Sequence, residues 1–353
     1  MDVAHDALSP TPEPSSRATA TRPLAVSVGI LTYQRPESLL GTLESLRHAD
    51  ATAPPDRTTS GETDATGAGP APDGVGSIHE VLVIDNDRSP TAREAVESLA
   101  ASGYPHRLRY VHEPVPGLSA ARNRAMDEAE GRVLAFIDDD EVATPGWPLG
   151  LVEVMAGTGA GLVGGPVRTV FRRPPAPWVT DGGFFERPEP PDRSHQTWLR
   201  SGNLAIDLDV VRPTGVRFDP AYGFSGGEDV AFSRAVRHAG VDLRWSATAV
   251  VEEAVGPERA TLRWLTRREA TSTTNWVRVE RTLDPSRRRR ALVTARGLAR
   301  LAQGGATAAL GAVTLNSVRR NQGLVAAARG VGALRGLVSR APETYRAGNH
   351  TRP

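Results

Sequence analysis

Residues 135–142 of the chain read AFIDDDEV, so apolar residues lead directly into a run of carboxylates. The acidic residues are Asp138, Asp139, Asp140 and Glu141. Because neighbouring negative charges repel one another and backbone neighbours cannot move far apart, this run needs either open water or a positive partner. Alternate carboxylates on an extended segment can both reach a hard cation, which prefers oxygen ligands. The stretch therefore indicates an exposed acidic loop or a metal site.

The residues around this run alternate between strand patterns and helix patterns. Apolar stretches with strand character occur at residues 24–31, 80–85, 107–113 and 132–137, and stretches with helical spacing at 36–49, 90–103 and 118–131. This alternation predicts an α/β fold, in which a mostly parallel sheet is flanked by helices on both faces.

Three of the predicted strands end in polar residues, in the segments ILTYQR (30–35), VIDND (83–87) and FIDDDEV (136–142). Ligands of parallel α/β sheets bind at the carboxyl ends of the strands. We therefore expect these three segments to lie side by side on one rim of the sheet. This context favours a metal site over a solvated loop at residues 138–141.

The composition excludes several kinds of chemistry. The chain of 353 residues has no cysteine, which excludes disulfides, thiolate metal sites and cysteine nucleophiles. It also has no lysine, so a P-loop lysine and a Schiff-base lysine are excluded. We see no secretory signal pattern at the start and no apolar stretch long enough for a membrane span.

The chain divides by composition into a lead, a large α/β region and a tail. We expect a disordered lead at residues 1–23, a catalytic domain at 24–270 with a flexible insertion at 49–77, and a basic helical tail at 271–353. From Ser286 onward arginines are frequent and Glu343 is the only acid. The tail is interpreted either as a helical hairpin that packs on the catalytic domain or as a basic anchor on an anionic membrane surface.

Five segments occur in an order that matches a known enzyme family: VSVGILTYQRPESLLGTLESL, EVLVIDNDRS, GLSAARNRAMDEAEGRVLAFIDDDEVATPGW, SGNLAI and GGEDVAFSRAVRHAG. From about Leu24 to about Ala270 the chain resembles the inverting nucleotide-sugar glycosyltransferases of the family-two type. The resemblance implies a GT-A fold with a Rossmann-like sheet, a nucleoside-diphosphate sugar donor, a divalent cation (Mn²⁺ or Mg²⁺) and transfer with inversion. It also implies a carbohydrate or lipid-linked acceptor, polysaccharide or glycoconjugate synthesis, and a cytoplasmic enzyme that the tail can hold at the inner face of the cell membrane.

The resemblance also assigns the donor site residue by residue. Asp138 and Asp140 look like the two ends of the family's DxD element and would bind the metal, while Asp139 would face the ribose. The remaining residues assigned to donor binding are Thr32, Tyr33, Arg35, Asp85, Arg122 and Asn123. Among them Asp85 would accept hydrogen bonds from the nucleotide base. Arg122 would bind phosphate or hold the acidic loop in position, and the alternative is that it is an ordinary arginine on a helix surface.

The segment GGEDVAFSRAVRHAG (226–240) contains the candidate catalytic base. Acidic residues are common in a first helical turn because they stabilise the helix dipole, so Glu228 and Asp229 can be structural. An inverting transfer needs a carboxylate that removes the proton of the acceptor hydroxyl. The resemblance places this base at Asp229, with Glu228 as the reserve. A histidine ligand that is frequent in the family is absent, and Glu252 and Glu253 stand near its place.

Two other function classes are open to the sequence. A nucleotidyltransferase would need a glycine-rich basic loop after the first strand, and ILTYQRPESL lacks one. An arginine-rich membrane- or nucleic-acid-binding protein with a degenerate α/β domain would suit the tail. The acidic rim would repel phosphates without a metal, so no nucleic-acid partner is expected. Aromatic residues within residues 166–200 indicate either an acceptor lid or a loop that packs over the sheet.

Overall fold

The computed structural model describes residues 24–50 and 76–338 of the chain. The predicted lead at residues 1–23, most of the predicted insertion at 49–77 and the end of the predicted tail lie outside the described residues.

The described residues form an α/β structure that continues into a group of long helices. The strands are β1 (Val26–Thr32), β2 (Ile78–Asp85), β3 (Arg107–His112), β4 (Val133–Asp138), β5 (Glu141–Ala143), β6 (Leu162–Gly164), β7 (Val167–Phe171), β8 (Asn203–Asp207), β9 (Leu243–Trp245) and β10 (Val251–Val255). The helices are α1 (Pro36–Leu46), α2 (Arg93–Ala101), α3 (Leu118–Glu128), α4 (Trp147–Thr158), α5 (Pro177–Thr180), α6 (Leu208–Val211), α7 (Glu228–His238), α8 (Leu262–Leu283), α9 (Arg287–Val313) and α10 (Ser317–Val338). All four strands and all three helices predicted from the pattern are present.

The main sheet has seven strands in the order β3-β2-β1-β4-β8-β6-β9. All neighbouring pairs are parallel except those of β8, which is antiparallel to both β4 and β6. The predicted mostly parallel sheet is therefore confirmed. A second, smaller sheet has the order β5-β10-β7 and begins directly after the acidic run.

The apolar patterns of the strands bury both faces of the main sheet. On one face, Val28 and Ile30 of β1 pack with Leu39 and Leu43 of α1. On the other face, the cluster that includes Phe136 of β4 also contains residues of α3, β2 and β8. Each such aliphatic side chain contributes about 1.5–3 kcal/mol when it is fully buried. This two-sided burial fixes the strands and leaves their polar ends at the edge.

The register of the sheet brings the three polar strand ends together. Thr32, the last residue of β1, pairs with Asp85, the last residue of β2. On the other side of β1, Leu31 pairs with Asp138, the last residue of β4. The rim that the sequence predicts is therefore present, with the acidic run beside the end of the first strand.

The helices of the predicted tail pack on one another and on the catalytic region. A Cβ added at Gly332 of α10 would lie 2.3 Å from the Ala270 carbonyl oxygen of α8, so these two helices approach closely. The predicted boundary after residue 270 falls within α8, which continues across it without a break. Among the described residues, no helix combines the length and the apolar character needed to cross a membrane.

Glycines hold α9 against α10, and this contact supplies a test of the helical arrangement. A Cβ added at Gly304 would lie 2.5 Å from the Ala327 nitrogen and 2.7 Å from the Gly323 carbonyl oxygen. Backbone atoms cannot yield as a flexible side chain can, so we expect Gly304→Ala to destabilise the protein by about 1–3 kcal/mol. Chemical denaturation measures this change.

The neighbouring Gly305 is the matched control, because an added Cβ there meets nothing within 4 Å. Gly305→Ala should be neutral or should stabilise the protein by up to about 1 kcal/mol through helix propensity. Equal effects of the two substitutions would contradict the close approach of α9 and α10.

Candidate active site

The acidic run at the end of β4 has two positive partners and a hydroxyl donor. Thr32 Oγ1 donates a hydrogen bond of 3.0 Å to Asp139 Oδ2, and Asp139 is buried. Arg35 Nη1 lies 3.6 Å from Asp139 Oδ1 and 3.5 Å from Asp140 Oδ2. Arg259 Nη2 donates to Asp140 Oδ2 at 3.2 Å. Arginines from two distant parts of the chain thus offset the repulsion within the run.

A row of alternating charges leads away from Asp140. Arg259 Nη1 donates to Glu253 Oε1 at 3.0 Å, and Arg187 Nη2 donates to Glu253 Oε2 at 2.6 Å. Each guanidinium therefore connects segments that are far apart in the sequence. These charge-assisted bonds position the strand β10 and the segment after β7 against the acidic run.

Glu141 is the fourth carboxylate of the run and is buried at the start of β5. Its Oε2 accepts a hydrogen bond of 3.0 Å from the Asp138 nitrogen. Burial raises the pKa of Glu141 well above its ordinary value, and the nearby charge of Asp138 adds to the rise. Glu141 and Asp138 both line the cavity described below.

The donor set at the rim suits a hard divalent cation that the substrate helps to bind. Within the described part of the chain, no group of three or more acidic or histidine side chains is arranged to hold a metal by itself. Mg²⁺ and similar ions use one or two carboxylates together with substrate phosphates rather than a complete protein cage. Asp138 and Asp140 supply two such carboxylates, so the residues present fit this kind of site.

The structure distinguishes the two glutamates that stand where the family often has histidine. In the pairing of β10 with β5, Glu253 lies opposite Glu141, whereas Glu252 lies opposite Val142. Successive side chains of a strand point to opposite faces, so only Glu253 shares the face of Glu141. Glu253 lines the cavity and is held by Arg187 and Arg259.

The two acidic residues at the start of α7 have different surroundings. Arg122 Nη1 of α3 donates to Glu228 Oε1 at 2.5 Å, and both side chains are about 95% buried. Burial raises the pKa of Glu228, Arg122 opposes this rise, and the charge of Asp229 adds to it. Asp229 is only half-buried and lines the cavity. The geometry therefore leaves Asp229 as the accessible carboxylate of the pair.

The residues assigned to the nucleoside end of the donor, Thr32, Tyr33 and Asp85, lie at or directly after the ends of β1 and β2. Asp85 Oδ2 accepts hydrogen bonds from the Ala92 nitrogen at 2.8 Å and the Tyr110 hydroxyl at 2.9 Å, while its buried Oδ1 has no partner. Half-buried Tyr33 follows β1, just before the chain turns at Gln34 with φ 53°.

Asn123, which is also assigned to donor binding, uses its side-chain amide elsewhere: it donates to the Phe218 carbonyl oxygen and accepts from the Phe218 nitrogen. Its position therefore supports the loop that carries Phe218 rather than a direct contact with the donor.

A cavity of about 550 Å³ lies beside the acidic run: Asp138 and Glu141 line it, whereas Asp139, Asp140 and the rim residues Thr32, Tyr33, Arg35 and Asp85 do not. Asp138, Glu228 and Asp229 line it, together with residues of α8 and Arg300 of α9. A second cavity of about 730 Å³ adjoins it and shares Arg187, Trp198, Arg200 and Val167 in its wall. The helices of the predicted tail are thus part of the candidate active site.

The segment at residues 166–200 packs against the helical region and also lines a cavity. Phe185 stacks on Trp264 of α8 with ring centroids 5.9 Å apart and contacts Phe171 edge to face at 5.1 Å. These aromatic residues therefore pack against the helical region. The same segment lines most of the larger cavity.

The residues that sequence reasoning missed are arginines and a buried carboxylate. They are Glu141, Arg187, Arg200, Arg259 and Arg268. Glu141 was visible as part of the acidic run, and the aromatic segment marked the surroundings of Arg187 and Arg200. Arg259 and Arg268 stand among many other arginines, and nothing in their local sequence distinguishes them.

Comparison with known proteins identifies the family of the chain. The model of the family described as Glycosyl transferase family 2 matches residues 27–205. The succinoglycan biosynthesis protein ExoM of Rhizobium meliloti (strain 1021) is 34% identical over 253 residues, which cover 69% of this chain and 72% of ExoM. The glycosyltransferase AglE of Haloferax volcanii is 28% identical over 170 residues, which cover 48% of this chain and 55% of AglE.

A solved structure has a similar fold. The mannosyltransferase PcManGT from Pyrobaculum calidifontis, in complex with GDP-Man and Mn²⁺, superposes with a TM-score of 0.56 and 19% identity, covering 90% of this chain and 88% of PcManGT. The fold is thus of the GT-A glycosyltransferase type. The chain belongs to glycosyltransferase family 2, and the resemblance drawn from its motifs is confirmed.

The buried pair of Arg122 and Glu228 gives a prediction about stability. We expect Arg122→Met to lower the free energy of unfolding by about 3–5 kcal/mol at pH 7, because Glu228 is then buried without a partner. Loss of Arg122 raises the pKa of Glu228 further in the folded state, so Glu228 is protonated more readily there than in the unfolded chain. The loss of stability should therefore become smaller as the pH falls towards about 4–5. Denaturant titrations at several pH values measure this.

The double variant Arg122→Met/Glu228→Met is the control. It removes both charges, so it should recover much of the lost stability. If the double variant is as unstable as Arg122→Met at every pH, the loss comes from packing and the ion pair is not the cause.

Proposed function

We propose that the protein transfers a sugar from a nucleoside-diphosphate sugar to a hydroxyl group of a carbohydrate or lipid-linked acceptor, with inversion at the sugar carbon. The observation that carries this proposal is that Asp138, at the end of β4, and Asp229, at the start of α7, line the same cavity. In this proposal Asp138 serves the leaving group and Asp229 serves the acceptor. The name of ExoM supports a role in polysaccharide biosynthesis.

On the donor side, the residues of the rim bind and orient the nucleoside diphosphate. Asp138 and Asp140 would hold Mn²⁺ or Mg²⁺, which supplies the positive charge that stabilises the leaving diphosphate. Asp85 would accept a hydrogen bond from the base through its unpartnered Oδ1. The complex of PcManGT with GDP-Man and Mn²⁺ supports this donor class and this choice of ion.

The residues around the acidic run complete the donor site. Thr32 and Tyr33 line the nucleoside end, and Asp139, fixed by the Thr32 hydroxyl, faces the ribose. Arg35 is near enough to the run to contribute positive charge at the diphosphate. Arg122 and Asn123 act as positioning residues, because their polar groups already bind Glu228 and the Phe218 backbone.

On the acceptor side, Asp229 is the catalytic base. The new bond forms between the acceptor oxygen and the anomeric carbon while the bond from that carbon to the diphosphate breaks. The carboxylate of Asp229 accepts the proton that the acceptor hydroxyl loses. Glu228 is less suited to this task, because its carboxylate is buried against Arg122.

Two substitutions should separate donor binding from proton transfer. We expect Asp140→Asn to weaken donor binding in the presence of Mn²⁺ and to abolish transfer. We expect Asp229→Asn to leave donor binding intact and to lower turnover by roughly a hundredfold or more, as for the loss of a general base. Calorimetry with GDP- and UDP-sugars, with and without Mn²⁺, measures binding, and donor turnover is followed in parallel.

Asp209→Asn is the control, because Asp209 is exposed and does not line the cavity. It should leave both binding and turnover unchanged. Equal Mn²⁺-dependent donor affinity of wild type and Asp140→Asn would refute the metal role. If Asp229→Asn turns over normally and Glu228→Gln is inactive, the catalytic base is Glu228 and not Asp229.

The composition of the helices α9 and α10 supports attachment of the protein to an anionic membrane surface. α9 contains six arginines and α10 four, and neither helix contains an acidic residue. Leu298, Leu310 and Val313 of α9 are 52%, 47% and 82% exposed. A second copy of the chain would bring like charges together on this face. An anionic lipid surface instead matches both the arginines and the apolar side chains.

The exposed face of α9 provides the test of membrane attachment. We expect wild-type protein to float with liposomes that contain anionic phospholipid at low salt, and Leu298→Glu/Leu310→Glu to remain in solution. Leu40→Glu, at a 38% exposed position of α1, is the control and should float like wild type. A wild-type protein that stays in solution, or a double variant that floats equally well, would show that α9 is not the attachment face.

A further inference from the structure

Two arginines of the cavity form no salt bridge with any residue that the structure describes. Arg200 and Arg268 both line the 550 Å³ cavity, and Arg200 also lines the adjoining cavity of 730 Å³. In the part of the chain that the structure describes, neither side chain forms a salt bridge, and their recorded contacts are with aromatic rings. Their positive charges therefore remain available.

Two of the three carboxylates that attract Arg200 are bound by other arginines, whereas the third, Asp229, forms no salt bridge within the described residues. Glu253 is shared by Arg187 and Arg259 at 2.6 and 3.0 Å. Glu269 is bound by Arg329 at 2.6 Å. This part of the cavity wall carries four arginines (Arg187, Arg200, Arg259 and Arg268) and three carboxylates (Asp229, Glu253 and Glu269), so positive charge exceeds negative charge there.

Aromatic rings hold both guanidinium groups in place. The Arg200 Cζ lies 5.5 Å from the ring centre of Trp198, and the Arg268 Cζ lies 5.0 Å from that of Trp264. Such contacts orient an arginine without neutralising its charge or using its N–H donors. Desolvation and repulsion from Arg187 lower the pKa of both groups, and the attraction of Glu253 and Glu269, with that of Asp229 for Arg200, only partly opposes this change. A bound anion would relieve that repulsion.

We propose that Arg200 and Arg268 bind a phosphate or diphosphate group carried by the acceptor. This inference rests on the proposed function, because it names the chemical class of the substrate opposite the donor. Guanidinium groups bind phosphate oxygens through paired N–H donors. The donor diphosphate belongs to the acidic rim at the end of β4, whereas these arginines come from the segment before β8 and from α8. The adjoining cavity starts at Arg200 and accommodates the remainder of such an acceptor.

The experiment uses inorganic pyrophosphate as the probe, in EDTA, so that binding through a divalent cation is removed. We expect the full-length protein to bind pyrophosphate, and Arg200→Gln and Arg268→Gln each to weaken this binding about tenfold or more in calorimetry. Asp140→Asn should not weaken it. Arg267→Gln is the matched control, because Arg267 neighbours Arg268 on α8 but is exposed and does not line the cavity.

A second arm measures nucleotide-sugar binding with Mn²⁺ in the same variants. Arg200→Gln and Arg268→Gln should retain wild-type donor affinity. If they lose donor binding to the extent that Asp140→Asn does, the arginines serve the donor and the inference is wrong. It is equally wrong if pyrophosphate does not bind in EDTA or binds the two variants as tightly as wild type. A wild type that binds pyrophosphate but no nucleotide sugar would instead refute the proposed function alone.

Discussion

The repulsion among the four carboxylates at the end of β4 is the constraint on which the rest of the site depends. β4 is a buried inner strand of the main sheet, so these residues cannot move apart to relieve it. Positive charge is brought to them instead, by Arg35 from the turn after β1 and by Arg259 from the segment between β10 and α8. Since Arg259 is about 120 residues away in sequence, the acidic run ties the C-terminal part of the chain to the central strands. The active site is therefore assembled by the same interactions that fold the second sheet against the first.

The sequence predicted the first half of the fold well because the relevant signals are local. The strands β1, β2 and β4 consist mainly of apolar residues, β3 (RLRYVH) mixes arginine with apolar residues, and each intervening helix has its own apolar spacing. The polar strand ends could be assigned to one rim because parallel strands share their carboxyl edge. The strands β5, β6 and β9 have only three residues each, which is too short for any period to be recognised. Their positions follow from pairing with distant strands, so no local pattern could predict them.

The residues of the candidate site also fall into two groups, those that a local motif predicts and those whose roles depend on distant contacts. Asp138 and Asp140 could be predicted because the motif that carries them is contiguous. The roles of Arg122 and Glu228 could not, since their contact joins residues 106 positions apart and depends on how α3 packs against α7. The choice between Glu252 and Glu253 likewise depends on the register of β10 against β5, which is set by pairing across the second sheet. Sequence reasoning thus named the carboxylates together with Arg35 and Arg122, and missed Arg187 and Arg259, which bind Glu253 and Asp140.

The chain has no lysine, so arginines supply the positive charge of this cavity, and this determines how its charged groups are connected. A guanidinium presents several N–H donors in a plane, so Arg259 can bind Asp140 and Glu253 at the same time. A lysine ammonium is a single compact charge and would not connect the two segments with the same geometry. A divalent cation that binds Asp140 competes with Arg259 for the same carboxylate. Arg259 would keep Glu253 as its partner after such a displacement, so the loss of one contact need not detach the second sheet. A charged ligand at the rim can therefore take the place of Arg259 at Asp140. The contacts of Glu253 with Arg259 and Arg187 would remain and would keep β10 in position.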